Sequence, residues 1–246
     1  MTRVAIITSI DRRSAIARAT LQMAEALAEM VDVTIFAEPT SQPLPCHLPL
    51  RTIDYAAIRA HDHVVTVVGD SPFHVHSFWV ARRISSVVIL HDVLMAHLAA
   101  ACLSMDDLRR EFVRWYGPDR TADAMRGAGG TRPSWDGANA LDAPLFEPVI
   151  ELATGVVVHS KFAEAHLTPS TIAPVRYLPL AYESPWTETP AHPVTTDHRQ
   201  TLLTLGHANQ NKCHELVIEA LADIADPTVR YVIAGSISDS LSLIHI

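Results

Sequence analysis

The sequence predicts an α/β protein: a doubly wound parallel sheet, followed by the opening βαβ of a second one. Three observations predict it. Short apolar runs rich in Val and Ile, such as Val87-Val88-Ile89-Leu90, alternate with stretches of helical periodicity. Unbroken runs of this kind suit strands covered on both faces, as parallel strands are. A proline-rich interruption between Tyr182 and His198 then separates this long series from a fresh strand, helix and strand.

The elements follow in order. Arg3 to Thr8 reads as a short buried strand. Ser14 to Met30 reads as a helix, because Ile16, Ala19, Thr20, Met23, Leu27 and Met30 recur at three- and four-residue spacing and Ser14 is placed to cap it. Val31 to Ala37 is a second strand, closed by Pro39, and Pro43, Pro45 and Pro49 break the next stretch into loop. His63 to Val68 is a third strand, ending at Gly69-Asp70-Ser71. Pro72 suits the first turn of a helix running to Ile84. The Val87 strand follows, then helices from Val93 to Cys102 and from Met105 to Trp115.

Gly117 to Pro144 holds five of the nine glycines and reads as a surface loop. Leu145 to Ala153 is expected to be helical and Gly155 to His159 a buried strand. Ser160 is the expected cap of a helix from Lys161 to Leu167. Val175 to Leu180 is a strand. Residues 1–181 are thus a first domain, and 182–199, with Pro185, Pro190 and Pro193, a linker. Residues 200–240 begin a second domain: strand Thr201 to Leu205, loop Gly206 to Asn211, helix Lys212 to Ile224, strand Thr228 to Ala234. Some 40 residues bury too little for a core of their own, so this unit either packs on the first or belongs to a longer protein. Residues 241–246, Leu-Ser-Leu-Ile-His-Ile, resemble the in-frame translation of a sequencing adaptor and are expected to be foreign to the fold.

Composition narrows the function. Hydrophobic residues make up 48% of the 246 and charged residues 19%, which describes a globular protein. The net charge of −8 argues against a nucleic-acid partner, since phosphate binding needs clustered Lys and Arg. Cys46, Cys102 and Cys213 are far apart and form no CxxC, so neither a disulfide framework nor a thiolate zinc site is indicated. Buried free thiols suit a reducing cytoplasm. The N-terminal apolar run is too short for a signal peptide. The longest apolar stretch, Val87 to Leu103, is broken by His91, Asp92 and His97, which argues against a membrane span. Peripheral contact with the inner face of a membrane stays open.

Several chemistries are missing. No glycine precedes Gly69, so the turn after the first strand lacks a dinucleotide fingerprint. No phosphate-binding GxxxxGK[ST] loop and no Gly-x-Ser-x-Gly elbow exist. What remains is polar residues just past strand ends, where α/β sheets bind ligands. His91 and Asp92 follow the Val87 strand at once. In the second unit, Gly206 closes a strand and Lys212 opens the next helix, a place where free backbone N–H groups and a positive charge favour a diphosphate. His74 and His76, with His91 nearby, raise a metal site, but residues two apart on a helix face different ways, and no metal is assigned.

Together these stretches resemble glycosyltransferase family 4, retaining enzymes with two Rossmann-like domains, the GT-B fold. Val68-Gly69-Asp70-Ser71-Pro72-Phe73-His74 is similar to the Gly-Asn-Ser-x-x-His segment of one bacterial subgroup. Val88-Ile89-Leu90-His91-Asp92 resembles its Val-Leu-His-Asp strand end. Glu151 to Ser160 resembles the last strand and helix start of the N-domain, and Leu205-Gly206-His207 with Lys212 the opening donor-phosphate loop of the C-domain. The resemblance implies a nucleotide-diphosphate sugar donor held mostly by the C-domain, a carbohydrate or lipid-linked acceptor on the N-domain, and no cofactor or metal. It implies that Gly206, His207 and Lys212 contact the diphosphate and that His91 faces the transferred sugar. Ser9, Asp11, Asp70, His74, Asp92 and Ser160 would line the cleft. The chain also departs from the family: His207 replaces a common Arg, Cys213 a common Gly, Ala15 a glycine and Asp70 an Asn. The Glu-x7-Glu segment that holds the donor lies beyond residue 246, so the chain alone is expected to be inactive. Two rival readings are a non-catalytic sugar- or partner-binding module and a GT-B sugar-nucleotide epimerase.

Overall fold

A computed structural model describes residues 1–126, 133, 135, 139–180, 200–206, 208 and 212–235. The chain divides into two compact units, Met1–Glu183 and Ser184–Ile246. The expected linker at 182–199 and the adaptor-like residues 241–246 lie outside the described residues.

In the first unit the strands are β1 (Arg3–Ile7), β2 (Asp32–Phe36), β3 (Leu50–Arg51), β4 (His63–Val68), β5 (Ser86–Leu90), β6 (Ala153–Val158) and β7 (Val175–Tyr177). They form one sheet in the order β3-β2-β1-β4-β5-β6-β7, every pairing parallel. The chain builds leftward from β1 and then returns to build rightward from β4. The order therefore reverses between β1 and β4, and sheets of this kind bind ligands outside the carboxyl ends of their strands.

Alternation along each strand sorts side chains to two faces. On one face, Val4, Ile6, Val33, Ile35, Val67 and Ile89 pack against α1 (Ala15–Ala28) through Leu21 and Ala24. On the other, Ala5, Ile7 and Phe36 meet Ile58 of α2 (Tyr55–Arg59) and Val80 of α3 (Val75–Ala81). The largest cluster continues on that second face. Val88, Leu90, Val156 and Val158 pack there with α4 (Ala96–Cys102), α5 (Met105–Ala124), α6 (Glu147–Ile150) and α7 (Lys161–Leu167). Phe36, Phe78 and Phe112 are fully buried, each worth roughly 1.5–3 kcal/mol of transfer free energy.

The caps fall where the sequence puts them. Ser14 Oγ accepts from the Ala17 N–H, and Ser160 Oγ from the Ala163 N–H. Several boundaries differ. The proline-broken stretch hides β3 and α2, the latter capped by Asp54, whose carboxylate accepts from the Ala56 and Ala57 N–H groups. The helix expected to stop at Trp115 resumes after a break at Gly117 and runs to Ala124. Gly117 takes φ 79°, and Pro118, which needs no N–H donor partner, restarts the helix. The helix expected over Leu145 to Ala153 is only α6, because Ala153 already belongs to β6. The Pro72 helix is a 3-10 turn, Pro72–His74, leading into α3, and the Val93 helix starts at Ala96. The last strand of the unit stops at Tyr177.

Leu145 shows how the long excursion between β5 and β6 is pinned. It adopts φ 61°, a left-handed conformation that costs a branched side chain about 1–2 kcal/mol. Its N–H donates to the Tyr116 hydroxyl at 2.6 Å, and that hydroxyl donates to Glu147. Burial, the largest cause, raises the Glu147 pKa.

The second unit contains β8 (Gln200–Leu205), α8 (His214–Ile224) and β9 (Val229–Ala234), with β8 and β9 parallel in register from Gln200–Val229 to Leu205–Ala234. Its helix starts two residues later than expected, because Cys213 is left-handed at φ 50°. Leu203, Leu205 and Leu216 remain exposed, in keeping with a unit too small to cover its own apolar surface.

Tyr116→Phe should leave the Leu145 N–H and the Glu147 carboxyl without their shared partner. We expect a loss of about 1–3 kcal/mol in chemical denaturation of the first unit, with no change in its secondary structure.

Candidate functional site

Four parallel strands end side by side. Leu90 is in register with Val68 on one side and Val158 on the other, and the His91 N–H continues the ladder to the Val68 carbonyl at 2.9 Å. The residues that follow are Ser9 after β1, Gly69 and Asp70 after β4, His91 and Asp92 after β5, and His159 and Ser160 after β6. Strand register thus gathers them at one end of the sheet.

Gly69 permits the tightest approach among the described glycines of the first unit. A Cβ there would lie 2.2 Å from Ile16 Cδ1 of α1, 3.1 Å from Asp92 Oδ2 and 3.5 Å from His74 Nε2. Asp92 Oδ2 accepts the Asp70 N–H at 2.8 Å. Asp70 in turn is committed: its carboxylate accepts the Leu98 N–H at 2.7 Å and meets His97 Nδ1 at 2.6 Å. Asp70 therefore braces α4 against the end of β4, where an acidic side chain also suits a helix start. Burial is the largest cause raising the Asp92 pKa, followed by the repulsion of Asp70, against the opposing hydrogen bond from the Asp70 N–H.

The loop after β1 is held from within. The Asp11 carboxylate, 4% exposed as a residue, accepts from the Arg13 N–H at 3.0 Å, from Arg13 Nε and Nη2 at 2.9 Å each, and from Thr40. The Arg13 side chain, then Thr40, hold its carboxyl well below the usual carboxylate range. Ser9 Oγ accepts the Asp11 N–H at 3.2 Å. The Arg13 guanidinium lies 5.1 Å from the Phe73 ring centroid, so this loop is tied to the one after β4.

Three imidazoles stand along the strand ends. His74 is fully buried, and neither ring nitrogen meets hydrogen-bond geometry with a described residue. Burial pushes its pKa down to about 4, against a weak opposing approach of the Val67 carbonyl. His91 is half-buried and also pushed down to about 4, by burial first, then by His159 and His74. His91 and His159 lie ring to ring, centroids 4.6 Å apart and planes at 51°. His159 Nδ1 faces the Leu178 carbonyl at 2.9 Å. At neutral pH both His74 and His91 are uncharged. They can give and take hydrogen bonds but are weak proton acceptors. His76 points elsewhere, with its Nδ1 3.6 Å from Glu38, as the two-residue spacing from His74 predicts. Among the described residues no group of three or more His, Cys, Asp or Glu side chains is arranged to hold a metal ion.

Beside the His91–His159 pair, on the α1 face, lies a recess of about 210 Å³. Ala19, Thr20 and Met23 of α1, Ile89, Val157 and Leu178 to Leu180 form its walls. The two imidazoles are its main polar groups. The volume exceeds the roughly 150 Å³ at which apolar cavities admit benzene.

In the second unit, Gly206 takes φ 114° at the end of β8, and a Cβ on Gly235 would lie 1.9 Å from the Gly206 carbonyl oxygen. The two strand ends can approach because Gly235 has no Cβ. Lys212 is exposed, and the Cys213 side chain does not cap α8. His214 is buried and its Nδ1 meets the Tyr231 hydroxyl at 2.6 Å, which meets Thr204 Oγ1 at 2.9 Å. This chain pins the start of α8 to both strands. His207 lies outside the described residues.

Of the residues read from sequence, the structure brings Ser9, Asp11, Asp70, His74, His91, Asp92 and Ser160 to one end of the first sheet. Asp11, Asp70 and Ser160 are engaged in holding the backbone, Ser160 as the cap of α7. Gly206 and Lys212 belong to the second unit. His159 was missed as a site residue, although the signal that singled out His91, a polar residue just past a buried run, applies to it equally. The pairing of Asp70 with His97 carried no such signal.

No protein-family model matches the sequence, and no curated protein matches it. Among solved structures, the chain is similar to HepE (Alr3699) from Anabaena in complex with UDP and glucose. The TM-score is 0.46 at 10% identity, over 98% of this chain and 62% of that one. It is also similar to UGT2 from Phytolacca americana complexed with UDP-2fluoro-glucose and pterostilbene, with TM-score 0.41 and 12% identity over 96% and 72% of the two chains. The chain thus spans 62% of the length of the Anabaena structure.

The lowered histidine pKa values set a pH dependence. An unfolded histidine titrates near 6.5 and these two near 4, so between those values the unfolded chain binds protons that the folded one refuses. Stability is level above that window and falls as the pH drops through it, by on the order of 3 kcal/mol for the fully buried His74. We expect the drop in denaturation free energy between pH 7 and pH 4.5 to be smaller in His74→Leu than in the parent, by about 2 kcal/mol.

Proposed function

We propose that the chain is the acceptor-side domain and the start of the donor-side domain of a GT-B glycosyltransferase, of the retaining family 4 type. The reaction transfers a sugar from a nucleotide-diphosphate sugar to an acceptor hydroxyl in polysaccharide or glycolipid synthesis. The observation that carries this reading is the gathering of the Ser9–Arg13 loop, Gly69, His91 and Asp92 at the carboxyl ends of the neighbouring strands β1, β4 and β5. A neutral imidazole there suits a hydrogen bond to a sugar hydroxyl better than it suits proton abstraction.

The second unit supports the donor half of the reading. Gly206 ends β8 without a side chain, α8 starts without a cap from Cys213, and Lys212 supplies a positive charge beside that start. A departing diphosphate is stabilised by such groups without chemistry from a cofactor. Cys213 replaces the family's common glycine, yet keeps the left-handed conformation that glycine takes at no steric cost.

The apolar recess beside His91 favours an acceptor whose hydroxyl sits on an apolar body, a lipid-linked one first. No helix among the described residues is long and apolar enough to cross a membrane. A cytoplasmic protein with peripheral contact at the inner face of the membrane fits this acceptor. Activity is proposed for a longer protein that completes the second unit, and the 246 residues alone are expected to be inactive.

The test is nucleotide release from nucleotide-diphosphate sugars, by residues 1–240 and by the full-length gene product. Turnover by the full-length protein and none by the fragment is expected. Lys212→Ala should lower full-length turnover by about 10², as loss of one oxyanion donor does elsewhere. An effect below about threefold would make Lys212 a surface residue, and absence of any release across the donor panel would sink the transferase reading.

A further inference from the structure

We propose that His159 is a positioning residue for His91, fixing which of its ring nitrogens carries the proton and so presenting a hydrogen-bond acceptor to the substrate hydroxyl. The role of His91 in this proposal rests on the transferase reading; the tautomer relation itself does not.

The geometry runs outward from the backbone. The Leu178 carbonyl can only accept, so the His159 nitrogen facing it at 2.9 Å carries the proton. A neutral imidazole has one proton, and the other nitrogen, Nε2, is then a lone-pair acceptor. That atom is shut off from water and has no hydrogen-bond partner among the described residues. Buried acceptors are seldom left unmet. The group beside it is the His91 ring, 4.6 Å between centroids and tilted by 51°. In the proposed arrangement His91 turns so that one of its N–H groups meets His159 Nε2. Its remaining nitrogen then bears a lone pair, so a substrate hydroxyl donates to His91 rather than accepting from it. The chain reads substrate O–H to His91, His91 N–H to His159, His159 N–H to the Leu178 carbonyl. Each member sets the tautomer of the next, as outer ligands orient catalytic imidazoles elsewhere.

The lowered basicity of His91 agrees with this arrangement. Burial and two neighbouring imidazoles keep it neutral at physiological pH, and only a neutral ring can donate on one side while accepting on the other. Leu178 lies just past β7, so the relay also links the chain leaving the sheet to the reacting end of β5. The other wall of the recess offers no competing polar group except Thr20, whose hydroxyl donates to the Ile16 carbonyl at 2.8 Å.

Two substitutions separate the roles of the two His159 nitrogens. His159→Asn keeps a donor for Leu178 and loses the acceptor for His91; His159→Gln keeps an acceptor near the Nε2 position and loses the Leu178 link. In the 246-residue chain, nitrogen-resolved NMR of labelled imidazoles is expected to find His159 protonated on Nδ1 and His91 biased to one tautomer. That bias should be lost in His159→Asn and retained in His159→Gln. A proton on His159 Nε2, or a His91 tautomer unchanged by Asn, overturns the proposal without reference to activity. In the full-length enzyme, His159→Asn should lower kcat/KM about tenfold and His159→Gln less than threefold. In a His91→Ala background, His159→Asn should change kcat/KM by less than about twofold, since the two act as one unit. Additive losses would reduce His159 to a structural residue. If the full-length enzyme shows no transfer at all, the transferase reading fails while the NMR result still decides the tautomer relation.

Discussion

There is no room for a side chain where β4 ends. Ile16 Cδ1 lies 2.2 Å from the place a Cβ on Gly69 would occupy, and an Asp92 oxygen lies 3.1 Å from it. The arrangement at the carboxyl end of β4 depends on that closeness. With no Cβ in the way, α1 can lie against the strand end, and Asp92 can reach back to take the Asp70 N–H. Asp70 is thereby turned toward α4, where its carboxylate accepts the Leu98 N–H and meets His97. The backbone after β5 is held by the same pair of carboxylates, and it carries His91. A single atom's worth of space thus sets the position of the residue that the proposed chemistry needs most.

The electrostatics at this end of the sheet divide by partner. The Asp11 carboxyl, enclosed by Arg13 and Thr40, is held ionised, far below the usual carboxylate range. His74 and His91, which have no such ionic partner among the described residues, are held neutral by burial first. A site built this way offers directional hydrogen bonds without net positive charge. That suits hydrogen bonding to an uncharged ligand such as a sugar.

Much of the fold was legible because its signals are local. The apolar runs of β1, β4, β5 and β6 and the serine caps of α1 and α7 are written in adjacent residues. What stayed hidden was decided by tertiary contacts. Strand β3 has two residues and α2 five, and each forms only where β2 or Ile58's core cluster can receive it. The helix past Gly117 looked like loop because Gly-Pro usually ends structure; here a positive φ at glycine lets the helix turn and restart. In the site, His91 was visible as a polar residue ending a buried run. His159 is the same pattern one strand over, and it escaped notice because its importance comes from facing His91. The use of Asp70 as a brace could not be seen at all, since Leu98 and His97 are more than 25 residues away in sequence.

The most direct measurement is an imidazole-resolved NMR titration of the full-length protein with a panel of nucleotide-diphosphate sugars. His63 serves as the internal reference, because it starts β4 at the opposite end of the sheet. Saturable movement of the His91 and His159 resonances by at least one donor, with His63 unmoved, is the expected result. Binding of a donor that leaves both His91 and His159 unchanged would contradict the placement of the sugar at the end of β5.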